Sequence, residues 1–70
     1  DLSEQERNSI IKAIKLGYYE YPRRINLEEL AKIMKLSKPT LEEYIRKAEK
    51  KIMTRIFNEL YYQDLLLKSE

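Results

Sequence analysis

Apolar residues near the start of the chain follow the spacing of one helix face. Ile10, Ile11 and Ile14 are separated by intervals of one and three residues, which predicts an apolar stripe on a helix over residues 3–16. Ser3, followed three residues later by a glutamate, is a capping-box pattern for the helix start. Gly17, the only glycine of the chain, is expected to end this helix, because glycine adopts a left-handed backbone without steric strain.

The segment after this glycine is rich in tyrosine and carries two adjacent arginines. We expect Tyr18, Tyr19 and Tyr21 to pack as a lid over the core, in an ordered loop. In the alternative interpretation, one of the three phenols reaches a phosphate. Arg23 and Arg24 are neighbours, so we expect them to point apart, one toward a phosphate and the other toward a nearby glutamate.

A second and a third helix follow, separated by a three-residue break. Asn26 is a good N-cap for the second helix, and Ser37 caps the third, whose first turn tolerates Pro39. No glycine or proline comes after Pro39, so we expect the third helix to run on, bent or broken once, to about Leu67. The predicted buried faces are Leu27, Leu30, Ala31 and Met34 in the second helix, and Leu41, Tyr44, Ile45, Ala48 and Ile52 in the third.

Two short helices joined by a three-residue turn form the helix-turn-helix plan. Ala31 is small where the two helices cross, and Leu36 in the turn fills the space between them. The turn position of Lys35 commonly holds glycine, and a lysine in a left-handed conformation costs roughly 1 kcal/mol relative to glycine. We therefore predict an all-α fold: a three-helix helix-turn-helix domain of the winged-helix-like superfamily, with a long apolar C-terminal helix.

Composition narrows the chemistry available to a chain of 70 residues. It has no cysteine and no histidine, which excludes disulfides and cysteine metal sites and removes the commonest general base near neutral pH. A glycine-rich phosphate loop is also missing, so we expect no enzyme activity, no metal and no small-molecule cofactor. No run of about 18 apolar residues occurs, and the start does not resemble a signal peptide. We expect a cytoplasmic protein that does not bind membranes.

Charge is unevenly distributed along the chain. Residues 23–55 hold ten Lys or Arg and five Glu, a net charge of +5, whereas the segments before and after them carry net charges of −1 and −2. A basic middle with acidic flanks suggests a localised anionic partner, although a solvated helix surface would give the same counts. On the helix-turn-helix plan the partner is double-stranded DNA, whose major groove admits the start of the third helix.

The candidate DNA contacts lie at the start and on the outer face of the third helix, and in the loop before the second. Backbone N–H groups and the helix dipole at a helix start favour a phosphate. Arg46, two turns along, could reach a guanine edge or a phosphate. The predicted set is Arg23, Arg24, Ser37, Lys38, Thr40, Glu42, Arg46, Lys47 and Lys50, with Lys51 as a further phosphate contact.

Two glutamates are awkward on a surface that faces phosphate. Glu42 and Glu43 would repel it, although a carboxylate can accept a hydrogen bond from the amino group of cytosine. Alternatively, Glu42 pairs with Arg46 and Glu43 with Lys47 one turn along, each pair adding roughly a few tenths of a kcal/mol. We favour the ion pair for Glu43, and both interpretations stay open for Glu42.

Two stretches carry a family resemblance. They are 17–31, with its glycine–tyrosine–tyrosine start and its proline–arginine–arginine run, and 36–41, followed by Ile45-Arg46-Lys47-Ala48-Glu49. Together they resemble the DNA-binding domain of the archaeal bacterio-opsin activator family, over about residues 1–53. The resemblance implies a DNA-binding domain of a transcription regulator, which in this family usually lies at the C-terminal end of a longer chain. The family typically has glycine where this chain has Lys35. The shape is also similar, more loosely, to the promoter-reading domain of bacterial sigma factors.

The end of the third helix is apolar on more than one face. A lone helix of this kind would not stay exposed to water, so it either folds back on the first helix or packs against a second chain. We expect a symmetric homodimer, because paired helix-turn-helix modules read half-sites roughly 34–36 Å apart. The predicted dimer interface comprises Ile52, Met53, Ile56, Phe57, Leu60, Tyr61 and Leu67.

These features together predict a sequence-specific DNA-binding transcription regulator whose recognition helix starts near Ser37. Residues 1–53 would form the DNA-binding domain, and residues 54–70 a C-terminal helix for dimerisation. The alternative is a protein-interaction or dimerisation module without specific DNA binding. Alanine at Lys38 and Arg46 separates the two, because only a DNA-binding protein would lose its ligand while remaining dimeric.

Overall fold

The computed structural model describes residues 1–68, which form three α-helices. They are α1 (Glu4–Lys15), α2 (Leu27–Met34) and α3 (Lys38–Lys68). Residues 1–68 contain no strand, so the all-α prediction is confirmed, and no β wing is present in that range. The 31 residues of α3 form one unbroken helix, roughly 46 Å long at 1.5 Å per residue.

Reciprocal hydrogen bonds fix the starts of α1 and α2, as the sequence predicts. The Ser3 hydroxyl accepts a hydrogen bond from the Glu6 N–H at 3.1 Å, and the Glu6 carboxylate accepts one from the Ser3 N–H at 3.0 Å. Asn26 and Glu29 form the same pair of bonds at α2, at 2.8 and 3.0 Å. Each capping box satisfies two backbone N–H groups that the helix itself leaves without a partner.

The end of α1 requires glycine for two reasons. Gly17 has a φ of +89°, and the N–H of Tyr18 donates to the carbonyl of Ala13 at 2.9 Å, which closes the helix in a Schellman arrangement. A Cβ at position 17 would lie 2.6 Å from the Cβ of Arg24. The N–H of Arg24 donates to the Gly17 carbonyl at 2.9 Å, so the loop returns to the end of α1.

The core lies where α1 and α2 pack against the first half of α3. Its buried apolar members are Ile10, Ala13, Ile25, Leu30, Ala31, Leu41, Ile45 and Ala48. Around them pack the partly buried Leu2, Leu16, Tyr18, Leu27, Met34, Leu36 and Ile52. The predicted inner faces of α2 and α3 are confirmed as those that meet the core, although four of their nine members are only half-buried: Leu27, Met34, Tyr44 and Ile52.

The predicted apolar stripe of α1 is wrong in two of its three members. Ile10 is buried, but Ile11 and Ile14 are 43% and 57% exposed. The face of α1 that is covered instead includes Ser9 and Ala13, both completely buried. Small side chains let two helices approach closely, and the spacing of large apolar residues does not reveal such a face.

The predicted tyrosine lid is confirmed only for Tyr18. This side chain packs against the core and meets the Tyr19 ring edge to face, with the ring centroids 5.1 Å apart. Tyr19 is 44% exposed, and its hydroxyl donates to the carboxylate of Glu49 rather than entering the core. Tyr21 is fully exposed. The lid prediction is therefore wrong for these two residues.

The second half of α3 projects from the body of the domain. Every residue from 53 to 68 is exposed, so this part does not fold back on α1, which was one of the two expectations. Ile52, expected at the dimer interface, is instead half-buried against the core of its own domain. None of the three helices of residues 1–68 combines the length and the apolar character of a membrane-spanning segment.

Candidate nucleic-acid interface

The turn between α2 and α3 consists of Lys35, Leu36 and Ser37. Lys35 adopts the left-handed backbone expected at this position, with a φ of 58° and a ψ of 42°. The N–H of Leu36 donates to the carbonyl of Ala31 at 2.9 Å, and its side chain packs against the core. The turn is anchored through both backbone and side chain, which fixes the start of α3 relative to α2.

The start of α3 is capped by Ser37 and leaves the N–H of Lys38 as a backbone donor. The Ser37 hydroxyl accepts the Thr40 N–H at 3.3 Å and donates to the Thr40 hydroxyl oxygen at 2.8 Å, which confirms Ser37 as the cap. The N–H of Lys38 has no partner within the helix, as is general for the first turn, and the Lys38 side chain is exposed. A helix N-terminus beside an exposed lysine is a favourable place for a phosphate.

Charged side chains form a line along the outer face of α3. Glu42, Arg46 and Lys50 are spaced by four residues and all are exposed, so they lie on one side of the helix. The ammonium group of Lys47 lies 2.9 Å from the carboxylate of Glu43. This hydrogen bond lowers the pKa of Glu43 and raises the pKa of Lys47. The ion pair predicted for Glu43 is confirmed.

A small cleft connects the tyrosine loop to this face of α3. It is lined by Tyr18, Leu27, Glu42, Ile45, Arg46 and Glu49. The guanidinium carbon of Arg23 lies 4.3 Å from the centroid of the Tyr18 ring, which is cation–π geometry. Arg23 is therefore held at the edge of the outer face. Within residues 1–68 the ion pairs do not include one between Glu42 and Arg46.

Arg24 and Arg23 contact different residues. The side-chain carbons of Arg24 lie over Gly17, where an added Cβ would be 2.6–2.9 Å from them. The expectation that one of the two arginines pairs with a glutamate is wrong for the described residues, since neither takes part in an ion pair there. Arg23 uses the face of a tyrosine ring instead.

Two contacts that the sequence did not reveal attach α3 to the rest of the domain. The Tyr19 hydroxyl donates to Glu49, and partial burial followed by this carboxylate raises the pKa of Tyr19 well above its ordinary value. Lys51, expected at a phosphate, instead donates to Glu6 at 2.8 Å and to the Asp1 carbonyl at 3.2 Å. The partners are 30 to 50 residues apart in sequence, so no local pattern could indicate them.

The structure thus brings most of the predicted DNA contacts onto one side of the domain. Ser37, Lys38 and Thr40 lie together at the start of α3, and Glu42, Arg46 and Lys50 follow on its outer face, with Lys47 beside them. Arg23 borders this face through Tyr18, whereas Arg24 covers Gly17. No cluster of three or more potential metal ligands occurs within residues 1–68.

Comparison with known proteins identifies the family. The model of a family described as "HTH DNA binding domain" matches residues 2–54. A candidate transcriptional regulator of Haloferax volcanii is 37% identical over 59 residues, which are 84% of this chain and 10% of that protein. The dimethyl sulfoxide reductase transcriptional activator of the same organism is 35% identical over 57 residues, 81% of this chain and 27% of that protein. The bacterioopsin transcriptional activator of Halobacterium salinarum is 30% identical over 59 residues, 84% of this chain and 9% of that protein.

These similarities concern one part of longer proteins, since the chain spans between a tenth and about a quarter of the first two relatives. No solved structure matches the chain. The matched residues 2–54 comprise α1, α2, the turn and the first half of α3, which are the elements that hold the outer face described above. The chain belongs to the helix-turn-helix DNA-binding domain family that includes this part of the bacterioopsin transcriptional activator and of other haloarchaeal regulators.

Proposed function

We propose that this domain binds double-stranded DNA sequence-specifically in a transcription regulator, with the first half of α3 in the major groove. The observation that carries the proposal is the exposed line of Glu42, Arg46 and Lys50 on a helix whose start is fixed by the helix-turn-helix turn. An α-helix fits the major groove, where side chains of its N-terminal part meet base edges. The names of the three relatives, which describe transcriptional regulators, support the regulatory role.

The residues divide into those that position the helix and those that read bases. Lys38, through its ammonium group and its backbone N–H, binds one phosphate at the helix start, beside the hydroxyl groups of Ser37 and Thr40. Arg46 donates hydrogen bonds to the edge of a guanine, because its planar guanidinium group matches the two acceptors of guanine in the major groove. The carboxylate of Glu42 accepts a hydrogen bond from the amino group of a cytosine. Phosphates on either side are bound by Lys47, Lys50 and Arg23.

The second half of α3 supplies the contact between two copies of the chain. Its apolar stripe, defined here as Met53, Ile56, Phe57, Leu60, Tyr61 and Leu67, lies within about 140° of the helix circumference at 100° per residue. These side chains are 43–75% exposed. The rings of Phe57 and Tyr61 stack on each other, with centroids 5.9 Å apart and planes at 9°, so the stripe presents a pre-arranged aromatic surface.

The area of the stripe suits a second copy of this chain. Six such side chains expose on the order of 600 Å² of apolar surface, at the upper end of what a monomer leaves in one patch. A standard interface buries about 800 Å² on each partner. The area that the two stripes would bury by pairing therefore approaches that of a stable dimer interface. Asp64 interrupts the stripe and pairs with Lys68 at 3.3 Å. A dimer also places two DNA-binding helices on one duplex, as paired half-sites require.

The experiment compares two arginines on opposite faces of α3. Arg46 and Arg55 are nine residues apart, a rotation of about 180°, and both are exposed. Duplexes are selected from a random-sequence library with the purified protein, and their affinities for variants are measured by fluorescence anisotropy. We expect R46A to bind the duplex roughly 5- to 150-fold more weakly than wild type, which corresponds to a loss of about 1–3 kcal/mol of binding free energy. We also expect it to lose the preference for one base at a single position.

The matched control R55A should bind the selected duplex within about twofold of wild type. Failure to select any preferred duplex would overturn sequence-specific binding in favour of the protein-interaction module. Equal losses in R46A and R55A would show that charge alone, and not the outer face of α3, accounts for the affinity.

A further inference from the structure

The residues proposed to read DNA and the apolar stripe lie on one helix without a hinge between them. α3 is unbroken from Lys38 to Lys68, and the sequence has no glycine or proline after Pro39. The stripe begins at Met53, directly after Ile52, which still packs against the core. The body of the domain therefore passes into the stripe without a linker.

The two sets of residues also share one face of α3. Arg46 precedes Met53 by seven residues and Phe57 by eleven, and Lys50 precedes Phe57 by seven and Tyr61 by eleven. At 3.6 residues per turn, steps of seven and eleven return to within about 20° of the starting direction. The side chains directed at DNA and those directed at the second copy therefore point to the same side of the helix.

Contacts on both sides of α3 hold the body of the domain in a fixed rotation about the helix. Lys51 donates to Glu6 of α1 at 2.8 Å, and Glu49 accepts from Tyr19 of the loop. The side chain of Ala48, which points between those of Glu49 and Lys51 around the helix axis, is completely buried. The body cannot turn about α3 without breaking these contacts.

We infer that α3 acts as a rigid ruler, fixing the distance and the rotational phase between the DNA-reading residues and the dimer contact. This inference rests on the proposed function. The eleven residues from Arg46 to Phe57 span about 16 Å along the helix, of the same order as half the 34–36 Å between half-sites one helical turn apart. The length of α3 then determines which spacing of paired half-sites the dimer binds.

Insertions between Ile52 and Met53 test the ruler. Two alanines rotate the stripe by about 200° relative to Arg46 and lengthen the helix by about 3 Å. Seven residues of helix-forming sequence restore the phase to within about 20° and lengthen it by about 10 Å. All fully buried core residues precede the insertion point. Sedimentation gives the dimer fraction, and anisotropy gives affinities for a single half-site and for paired half-sites at varied spacings.

We expect the wild type to bind paired half-sites at one preferred spacing at least tenfold more tightly than a single half-site. The two-residue variant should remain dimeric and bind a single half-site within about twofold of wild type, which also shows that it is folded. It should lose at least tenfold at the wild-type spacing. The seven-residue variant should regain paired binding at a different spacing.

Three results would contradict these expectations. Insertion variants that bind the wild-type spacing as tightly as wild type overturn the ruler and leave the proposed function in place. A seven-residue variant that binds paired sites at no spacing overturns the role of rotational phase, and the ruler with it. A wild-type protein that is monomeric, or that binds no duplex, overturns the proposed function on which the ruler rests.

Discussion

Lys51 donates a hydrogen bond to the buried carboxylate of Glu6 at 2.8 Å, joining α3 to the first turn of α1. The same carboxylate oxygen accepts the N–H of Ser3 at 3.0 Å. These two hydrogen bonds, that of Lys51 first, lower the pKa of Glu6. One side chain thus caps α1 and holds it against the point where α3 leaves the core.

Replacing this carboxylate should destabilise the domain in a pH-dependent manner. Because folding lowers the pKa of Glu6, its stabilising contribution is present above the unfolded value of 4.5 and is lost as the pH falls through the folded value. We therefore expect E6Q to unfold at a lower urea concentration than wild type at neutral pH. The difference should shrink progressively below pH 4.5, as followed by circular dichroism.

The exposed pair of Glu43 and Lys47 provides the control for this experiment. E43Q removes a carboxylate whose pKa is also lowered, but exposed ion pairs contribute little to stability. Its urea midpoint should stay close to that of wild type. A difference between E6Q and wild type that is constant from neutral to acidic pH would contradict the role given to the ionised Glu6.

A methyl group at Gly17 should destabilise the end of α1. A left-handed conformation costs an L-residue about 1–2 kcal/mol, and the new Cβ would lie 2.6 Å from the Cβ of Arg24. We expect G17A to lower the free energy of unfolding by about 2 kcal/mol or more. Combining G17A with R24G should recover the part of this loss that comes from the clash with Arg24. An unchanged urea midpoint in G17A alone would contradict the left-handed conformation assigned to Gly17.

The opposite change is expected at Lys35, which has a φ of 58°. K35G should stabilise the domain by about 1 kcal/mol, because glycine accepts the left-handed turn conformation without a Cβ. For a domain of this size, that raises the melting temperature by roughly 4–8 °C. K35A keeps the Cβ and should melt within about two degrees of wild type. A lower melting temperature in K35G would show that the turn is not left-handed in solution.

Short-range features of the fold follow from the sequence, and long-range ones do not. The caps at Ser3, Asn26 and Ser37 and the glycine stop at Gly17 are visible because each depends on residues within about four positions. The buried face of α1 is not visible in the sequence, since one of its members is the polar residue Ser9. A serine there reflects how closely α1 approaches α3, which only the packed structure determines.

The candidate site divides in the same way. The outer line of Glu42, Arg46 and Lys50 follows from a spacing of four residues once α3 is predicted. The sequence also predicts that Lys51 contacts a phosphate, yet its ammonium group donates to the carboxylate of Glu6, which is 45 residues away. Helical periodicity places a side chain on a face but does not tell which charge on that face already has a partner within the fold.

A charge in the apolar stripe should separate the two copies without unfolding either. Leu60 is 60% exposed within one chain, so L60E costs the monomer little, whereas a dimer would bury two like charges. We expect the dissociation constant of the dimer, measured by sedimentation, to rise at least tenfold. Tyr62 lies about 160° away around α3 and is 64% exposed, so Y62E is the control. Equal effects of the two variants would contradict the assignment of the stripe.

The most direct test of the central claim is the affinity of the wild-type protein for a selected duplex and for a scrambled one, measured over a range of salt concentrations. If Lys38, Lys47, Lys50 and Arg23 each neutralise a phosphate, log affinity should fall against log salt with a slope of roughly −3 to −4 per protomer. The selected duplex should bind at least 10³-fold more tightly than the scrambled one at physiological salt. Affinity that is independent of salt, or equal for the two duplexes, would contradict the claim that the outer face of α3 reads DNA.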